Sequence, residues 1–420
     1  MGNMKTHHES ARAIPVARDT DVVVVGGGPS GLAAAIAAAR NGAKTTLIER
    51  FGFLGGIATA GLMANLNGFR NQVEPDATQT VRGIAEEIVL ELKKMKGLGG
   101  SPYQQKKYPD EPAKMAYSYA IDTEKFKYVT LKLCVDAGVD VMFHTWFSMP
   151  VLDGRRVRGV VVENKSGRIA LMAKVVVDAS GDGDVAARAG APFWSSTKGG
   201  EPRLGDSLMY RVRFGRRRPK GLGGVDLGSD MIVWGPFSKT IDGTDADAVS
   251  RAEIAARLGV FRNFAEMQAK HPELIDATVA ETPVMLGIRQ TRFIEGEYRI
   301  TGDDAIKGRR FRDSVAMSSC PIISYYGYRR YLKHQGYSIP YRCLVPKRIE
   351  NLLIAGRCIS SDQRAYESHR AMIPMMAIGE AAGTAAALSS REGTTPRRLD
   401  VGLLQRALTA RGALIRIPAA

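Results

Sequence analysis

The chain carries the stretch DVVVVGGGPSG at residues 21–31, and this stretch decides the fold. Its first half, Asp21 to Val25, is short, apolar and β-branched, as expected of a parallel strand buried on both faces. Its second half matches the pattern G-x-G-x-x-G and runs into small helix-forming residues at 32–39 and a second apolar run at 44–49. Strand, glycine turn, helix and strand in this order predict one right-handed βαβ unit.

The glycines of this turn have separate physical roles in holding a dinucleotide. Gly26 permits a tight turn, Gly28 lets the backbone approach a pyrophosphate, and Gly31 allows close packing of the helix on the strand. The helix N-terminus adds free N–H groups and a positive dipole. Glu49 ends the second strand, where a carboxylate accepts hydrogen bonds from ribose hydroxyls. The predicted nucleotide-binding residues here are Gly26, Gly28, Pro29, Ser30, Gly31, Glu49 and Arg50.

The composition is that of an ordinary globular protein with a basic charge. Of the 420 residues, 45% are hydrophobic and 24% are charged, and this length favours two lobes over a single core. A net charge of +16 would suit nucleic acid, an anionic membrane surface or acidic small molecules as partners. The one dense basic run, RRRPK at 216–220, lies beside Gly215, and we interpret it as a solvated loop rather than an anion-binding patch.

The cysteines and the N-terminal segment bear on metals and location. The four cysteines are isolated, without a Cys-x-x-Cys pair, so the sequence predicts no metal or iron–sulfur site and a cytoplasmic setting. Residues 1–19 lack the apolar stretch of a signal peptide and are predicted to be a disordered lead-in. No segment has the length and apolarity that we expect of a membrane span.

The remaining patterns divide the chain into two lobes. Strands are predicted at 140–147, 157–164 and 170–178 as a β-meander, and also at 208–214 and 351–355, with helices at 246–258 and 377–388. The predicted fold class is therefore α/β: a Rossmann-like nucleotide-binding domain, βαβ plus β-meander, with an inserted α+β substrate lobe. The predicted domains are the lead-in (1–19), the discontinuous nucleotide-binding domain (20–70, 120–195 and 341–420) and the substrate or cap lobe (71–119 and 196–340).

Three further motifs resemble the glutathione-reductase-type FAD proteins. They are FLGGIATAG at 53–61, VDASGDGD at 177–184 and NLLIAGRCIS at 351–360. With RAMIPMMAIGEAAG at 370–383, the set resembles the bacterial FAD-dependent oxidoreductase family related to the flavoprotein subunits of fumarate reductase and heterodisulfide reductase. The resemblance implies that FAD contacts Gly55, Gly56, Ile57, Ala58, Phe147, Ser180, Gly181, Asp182, Gly356, Arg357, Met375 and Met376. It also implies a helix N-terminus facing the flavin pyrimidine ring, the alternative being a plain core helix.

Departures from these relatives restrict the chemistry. The His-Pro-Thr motif and the FAD-attaching histidine of fumarate reductases are not evident, so we expect noncovalent FAD. The cysteine clusters of heterodisulfide reductase subunits are missing too. The GLGG runs at 97 and 221 follow no buried strand, so the sequence offers no second fingerprint for NAD(P)H.

Candidate catalytic residues follow the third flavin motif. His369 can move a proton near neutral pH, and Arg370 can hold a carboxylate or polarise a carbonyl, although both residues also suit a structural role. Arg289 is a candidate substrate contact or a salt-bridged scaffold residue. Tyr325 and Tyr326 belong to a tyrosine-rich stretch that would line a substrate pocket or form a packed or subunit interface.

The sequence therefore predicts an FAD-dependent dehydrogenase or oxidase that takes a hydride from a polar small molecule and passes electrons to an unidentified acceptor. Two alternatives stay open: a flavin-dependent reductase of an activated alkene, and an RNA-binding or regulatory flavoprotein. Nucleic acid is the less favoured partner, because only about 30 residues follow the last flavin helix. Oligomerisation is possible.

Overall fold

The computed structural model describes residues 6–72, 78–100, 115–195, 204–219, 221–238, 240–324 and 329–417. Tyr325 and Tyr326 lie outside these residues. The helices are α1 (Pro29–Arg40), α2 (Ile84–Lys94), α3 (Thr123–Asp136), α4 (Asp184–Arg188), α5 (Ala246–Lys270), α6 (Gly302–Ile306), α7 (Gln363–His369), α8 (Met372–Arg391) and α9 (Val401–Ala410). The strands are β1 (Val16–Val25), β2 (Thr45–Ile48), β3 (Asn65–Asn67), β4 (Leu98–Gly99), β5 (Ser118–Ile121), β6 (Asp140–Met142), β7 (Trp146–Asp153), β8 (Arg156–Asn164), β9 (Gly167–Asp178), β10 (Phe193–Ser195), β11 (Asp206–Ser207), β12 (Tyr210–Arg213), β13 (Gly224–Asp226), β14 (Asp230–Val233), β15 (Phe237–Ser238), β16 (Thr278–Glu281), β17 (Arg292–Ile294), β18 (Ser314–Ser318), β19 (Ile322–Ile323), β20 (Arg329–Arg330), β21 (Tyr337–Pro340) and β22 (Leu352–Ile354).

A seven-stranded sheet forms the centre of the fold. Its order is β6-β2-β1-β9-β8-β7, and β22 also pairs with β9. The pairs β1–β2, β1–β9, β2–β6 and β9–β22 are parallel, whereas β7, β8 and β9 form an antiparallel meander. The first half of β9 pairs with β8, and its last three residues, Val176 to Asp178, pair with β22 instead. The central sheet is therefore completed by a strand from the far end of the chain.

The valines of β1 explain why this strand is a continuous apolar run. Val22 and Val24 pack into one core cluster, with α1 and α8, and Val23 and Val25 pack into a second cluster that contains β8 residues. All four are buried. Because successive side chains of a strand point to opposite faces, a strand covered on both faces needs an unbroken apolar run.

Two glycines bring α8 into backbone contact with α1. A Cβ added to Gly379 would lie 2.0 Å from the Ser30 carbonyl oxygen, and one added to Gly383 would lie 1.9 Å from the Ala34 carbonyl oxygen. Only glycine permits such an approach of one helix to another. The helix from the C-terminal part of the chain is thus fixed directly on the helix of the glycine turn.

The second lobe is built on a four-stranded sheet, β13-β14-β12-β16, and on α5. Val260 and Phe264 of α5 pack with Tyr210 and Val212 of β12 in a separate hydrophobic cluster. In contrast, α2 packs against α8 and α3, and its buried residues belong to the core around α1. This helix therefore packs with the nucleotide-binding layer, although the sequence placed 71–119 in the cap lobe.

Several element boundaries differ from the sequence prediction. β1 begins at Val16, inside the predicted lead-in, because Val16 and Arg18 pair with residues of β9. The predicted strand at 140–147 is two strands, since His144 between them adopts a left-handed φ of +50°. The helix predicted at 246–258 continues to Lys270.

One helix among the described residues, α8, has the length and mean hydropathy of a membrane span. Nearly all of it is buried inside the protein, as in the core helix of a globular fold. It is therefore weak evidence for a membrane span.

Candidate functional site

The glycine turn has the geometry that the sequence predicted. Gly26 has a φ of +99°, and a Cβ there would lie 2.6 Å from the Ala179 carbonyl oxygen. A Cβ on Gly31 would lie 1.7 Å from the Gly26 carbonyl oxygen. On Gly28, however, the nearest atom would be Gly56 Cα, at 3.8 Å. The outer two glycines are therefore needed for packing, and the middle one leaves space in front of the α1 N-terminus.

The start of α1 is open to an anion. Pro29 is the first helical residue, and the cap residue Gly28 has no side chain to cover the first N–H groups. The first turn contains no acidic residue. Free N–H groups and the helix dipole are the features that bind a pyrophosphate.

Glu49 fastens the loop beside this helix. It is buried, and its two carboxylate oxygens accept the N–H of Gly27 at 2.7 Å and the N–H of Phe51 at 3.0 Å. Burial raises the pKa of Glu49, and the two backbone hydrogen bonds oppose this shift. The carboxylate thus holds the glycine turn in place, and its predicted contact with a ribose stays a prediction.

The second glycine-rich loop lies directly on the first. Gly55 and Gly56 both have positive φ, +109° and +51°, and open a short 3₁₀ turn that ends at Ala58. The Gly55 N–H donates to the Gly27 carbonyl at 2.9 Å, and a Cβ on Gly56 would lie 2.8 Å from Gly28 Cα. The two loops therefore form one continuous backbone wall, which a bulky side chain at Gly56 would disrupt.

The C-terminal motifs complete this wall. The Ser30 hydroxyl donates to the Met375 carbonyl at 2.9 Å, and a Cβ on Gly356 would lie 3.2 Å from Ser30 Oγ. Met375 and Met376 are buried in the first turns of α8. Residues separated by more than 300 positions in the chain thus meet at the α1 N-terminus.

Arg357 is the positive group of this wall. Its guanidinium pairs with Asp182 at 2.5 Å, and a Cβ on Gly181 would lie 3.3 Å from its Cζ. Burial disfavours the charge, but Asp182 outweighs it and raises the pKa of Arg357 above its usual value. Nε of Arg357 is buried without a hydrogen-bond partner in the part of the chain that the structure describes. This orphaned donor fits a bound phosphate or polyol group.

Ser180 and Asp178 shape the turn that presents Asp182. The Ser180 hydroxyl donates to Asp178 at 2.6 Å, and the Ala186 N–H donates to the other oxygen of Asp178 at 2.9 Å. Burial raises the pKa of Asp178 to about 6. This role of Asp178 was not predicted, although a carboxylate two residues before a serine in a strand-terminal turn is itself a signal of local capping.

Thr291 connects the cap lobe to the same turn, and Arg289 is bonded within the cap lobe. Thr291 donates its hydroxyl to Asp182 at 2.7 Å. The Arg289 guanidinium donates to the Gly205 carbonyl and, at 3.0 Å, to Ser207 Oγ. These bonds favour the scaffold interpretation of Arg289, and its contact with a substrate stays a prediction.

His369 is a buried residue rather than a surface one. It is fully buried at the end of α7, its ring lies 6.3 Å from Tyr366, and both ring nitrogens lack partners among the described residues. Burial lowers the pKa of His369 to about 3, so the imidazole is neutral at pH 7. Such an imidazole exchanges hydrogen bonds but is a poor proton acceptor near neutral pH. Arg370 follows it, partly buried, directly before α8.

Phe147 lies in β7, at the other end of the predicted cofactor region. Its ring is half-buried, with the Arg188 guanidinium 5.7 Å from its centroid. The adjacent Trp146 is 53% exposed, and Arg50 lies 5.4 Å from its ring and 4.8 Å from that of Phe51. Sequence reasoning named Phe147 and Arg50 but missed Trp146, which offers a second aromatic face there.

The fold and this wall define a flavoprotein with a dinucleotide-binding α/β domain. The model of one family, FAD dependent oxidoreductase, matches residues 21–226 and 212–408, more than half of the chain. The chain belongs to this family, and FAD is its cofactor. Its motifs fit the cofactor on independent grounds: the space at Gly28, the uncapped α1 N-terminus and the orphaned Arg357 Nε.

Curated relatives match part of the chain. The digeranylgeranylglycerophospholipid reductase of Picrophilus torridus is 30% identical over 165 residues, 38% of this chain and 39% of the relative. The thiamine thiazole synthase of Metallosphaera sedula is 30% identical over 172 residues, 38% of this chain and 54% of the relative. The chain thus matches about two-fifths to one-half of the length of these relatives.

Solved structures match over nearly the whole chain at low identity. CabE, an aromatic hydroxylase from angucycline biosynthesis, has a TM-score of 0.50 at 14% identity and covers 94% of this chain and 66% of its own. This likeness shows a shared mixed α/β fold and nothing finer. The predicted relationship to fumarate reductase and heterodisulfide reductase subunits, and to the glutathione-reductase subtype, stays a prediction.

Proposed function

We propose that this protein is an FAD-dependent dehydrogenase or oxidase that removes a hydride from a C–H bond of a polar small molecule, with FAD held noncovalently. The observation that carries the proposal is the meeting of the glycine turn, the Gly55–Gly56 loop, Arg357 and the α8 N-terminus at one wall. Bound FAD supplies a two-electron acceptor, and the protein supplies orientation and charge. In this proposal the inserted lobe selects the substrate.

We assign the substrate contacts to the two residues His369 and Arg370, which precede α8. Arg370 holds a carboxylate or polarises a carbonyl, and the neutral imidazole of His369 exchanges a hydrogen bond with the substrate. The first turn of α8 contains no acidic residue, so its N-terminal dipole favours negative charge in front of it. In this proposal His369 exchanges a hydrogen bond with the substrate but does not take up a proton from it.

An anaerobic stopped-flow screen of pooled metabolites tests the proposal. A substrate bleaches the oxidised flavin absorbance without any assumed acceptor. We expect Arg370→Gln to slow the bleaching by the substrate found, while its FAD content stays that of the wild type. Purified protein that is colourless and releases no FAD on heating contradicts the proposal.

A second candidate is a flavin-dependent reductase of an activated alkene. It is favoured by the name of the Picrophilus torridus relative, a reductase, although that match covers 38% of this chain. Photoreduced protein separates the two candidates. Reoxidation by an alkene but not by air selects the reductase, and rapid reoxidation by air selects the oxidase.

We also propose a reducing, cytoplasmic setting. Cys134, Cys320, Cys343 and Cys358 are all free and buried, an arrangement suited to a compartment without disulfide formation. Burial raises the pKa of Cys358 well above its usual value, which argues against a redox role for this thiol beside Arg357. We expect a thiol reagent to label all four cysteines when the protein isolated from cells is unfolded.

A further inference from the structure

A cavity lies at the C-terminal end of α1, at the opposite end of this helix from the glycine turn. It is open to solvent on one side, has a volume of about 760 Å³ and is lined by the end of α1, by α2, by Glu380 of α8 and by the end of α9. Arg40, one of its lining residues, is the last residue of α1, about 16 Å along the helix axis from Pro29. The cavity is therefore separate from the cofactor wall.

A buried carboxyl group forms part of the lining. Glu380 is 3% exposed, and its Oε2 accepts the Ile84 N–H at 3.1 Å. Its Oε1 receives no hydrogen bond from the residues that the structure describes. Burial raises the pKa of Glu380 to about 7, with the Ile84 N–H and the charge of Arg40 opposing the shift. One of the two carboxylate oxygens of Glu380 is thus left without a hydrogen-bond donor.

The cations near Glu380 are already engaged. Arg40 pairs with both oxygens of Glu87, at 2.6 and 2.9 Å. Arg411 donates to the Arg40 carbonyl and, at 3.4 Å, to Asn41. Three charged groups, Arg40, Glu87 and Arg411, act on Glu380. Glu380 therefore has no counter-ion of its own.

We propose that this cavity binds a small organic cation, a primary ammonium on an apolar body, with the ammonium on Glu380 Oε1. Ala37, Ile84, Leu90 and Ala410 provide apolar lining, and the side chain of Leu90 is 44% exposed. The other charged groups of the lining carry both signs, and several of them pair with one another: Arg82 with Glu86 at 4.0 Å and Lys94 with Glu91 at 2.5 Å, while Lys93 also lines the cavity. An anion is disfavoured at this position because it would face the carboxylate of Glu380. This site is independent of the proposed oxidoreductase activity.

Titration calorimetry of the FAD-loaded protein with 2-phenylethylamine tests the proposal, and 3-phenylpropionate serves as the anionic analogue of the same shape. The amine stays protonated, so its affinity depends on ionisation of Glu380. We expect the affinity to rise by roughly tenfold per pH unit up to about pH 7 and to level off above it. Phenylpropionate is expected to bind at least tenfold more weakly at pH 8.

Two variants assign the effect to one residue. Glu380→Gln keeps an acceptor for the Ile84 N–H but cannot ionise, so amine affinity should fall at least tenfold and lose its pH dependence. Glu124→Gln removes an exposed carboxylate that pairs with Lys127 on α3, and its amine affinity should equal that of the wild type. Absence of amine binding at pH 8, unchanged binding by Glu380→Gln, or tighter binding of phenylpropionate each overturns the proposal.

Discussion

Arg357 is the residue on which the charge of the cofactor wall depends. Its guanidinium is held by Asp182, and its Nε has no partner among the described residues. We expect Arg357→Gln to weaken FAD binding by roughly 10- to 100-fold, the equivalent of one or two charge-assisted hydrogen bonds. Quenching of flavin fluorescence during titration of the apoprotein measures the affinity.

A second variant distinguishes the effect of the charge of Arg357 from the effect of its geometry. Arg357→Lys keeps the charge and should recover part of the lost affinity. Lys347→Gln removes an exposed cation paired with Glu295 and should leave FAD affinity within about twofold of the wild type. Equal FAD affinity of Arg357→Gln and wild type would show that the orphaned Nε does not face the cofactor.

Glu380 makes the stability of the protein depend on pH. Its folded-state pKa of about 7 lies above that of an exposed glutamate, about 4.3, so the protonated carboxyl favours folding. This contribution is complete below about pH 4 and is lost as the pH rises through 7. We expect Glu380→Gln to be more stable than the wild type at pH 8, by on the order of 3 kcal/mol, and equally stable at pH 4. Urea unfolding of both proteins at the two pH values measures the difference, and a constant offset would be the contrary result.

The sequence predicted the roles of residues that act on their neighbours in the chain. It did not predict roles that depend on contacts with segments distant in the chain. The functions of Gly26 and Gly31 follow from their spacing, because the turn and the helix that they serve lie within ten residues. The burial of His369 and the environment of Glu380 depend on which segments fold over them. A single sequence contains no local signal of that burial, so His369 was interpreted as a group that titrates near neutral pH.

At the scale of elements, the contact of α1 with α8 rests on Gly379 and Gly383. A Cβ at Gly383 would lie 1.9 Å from a backbone oxygen of α1, so Gly383→Ala must separate the two helices. We expect it to lower the free energy of unfolding by about 1–3 kcal/mol, even though alanine favours a helix by about 1 kcal/mol. Chemical denaturation with FAD in excess gives the value.

A glycine in an open helix position provides the comparison. Gly402 lies in α9, and a Cβ there would meet only the ends of two flexible side chains, Asp400 and Arg406. Gly402→Ala should be neutral or slightly stabilising. If Gly383→Ala also left the free energy of unfolding unchanged, the close approach of α8 to α1 would be wrong.

The element pattern was predicted best where one segment determines it. The strand, turn and helix of 21–40 were recognised from their pattern. α5 was found, but its predicted end at 258 lies just before Gly259, a residue type that often ends a helix, whereas the helix continues through it to Lys270. The split of 140–147 into β6 and β7 was not predicted, since a left-handed φ at His144, a residue that is not glycine, has no compositional mark.

At the scale of the whole molecule, the net charge of +16 comes from 59 basic against 43 acidic residues, and the basic residues are spread along the chain. Part of the dense basic run is engaged in ion pairs: Arg216 pairs with Asp276 at 3.1 Å, and Arg218 pairs with Asp226. Lys220 lies outside the described residues. A gel shift with tRNA should therefore disappear between low and physiological salt, because nonspecific phosphate binding falls steeply with ionic strength. A shift that persists at physiological salt would favour an RNA-binding role.

The pairing of β22 with the last residues of β9 has a consequence for how the protein is made. The cofactor wall needs Gly26, Asp182, Arg357 and the first turn of α8, so a growing chain on the ribosome cannot enclose FAD until α8 has been synthesised. Until then the edge of β9 with which β22 will pair stays open to water or to chaperones. FAD binding is thereby a late step of folding, and we expect a chain truncated before α8 not to retain flavin.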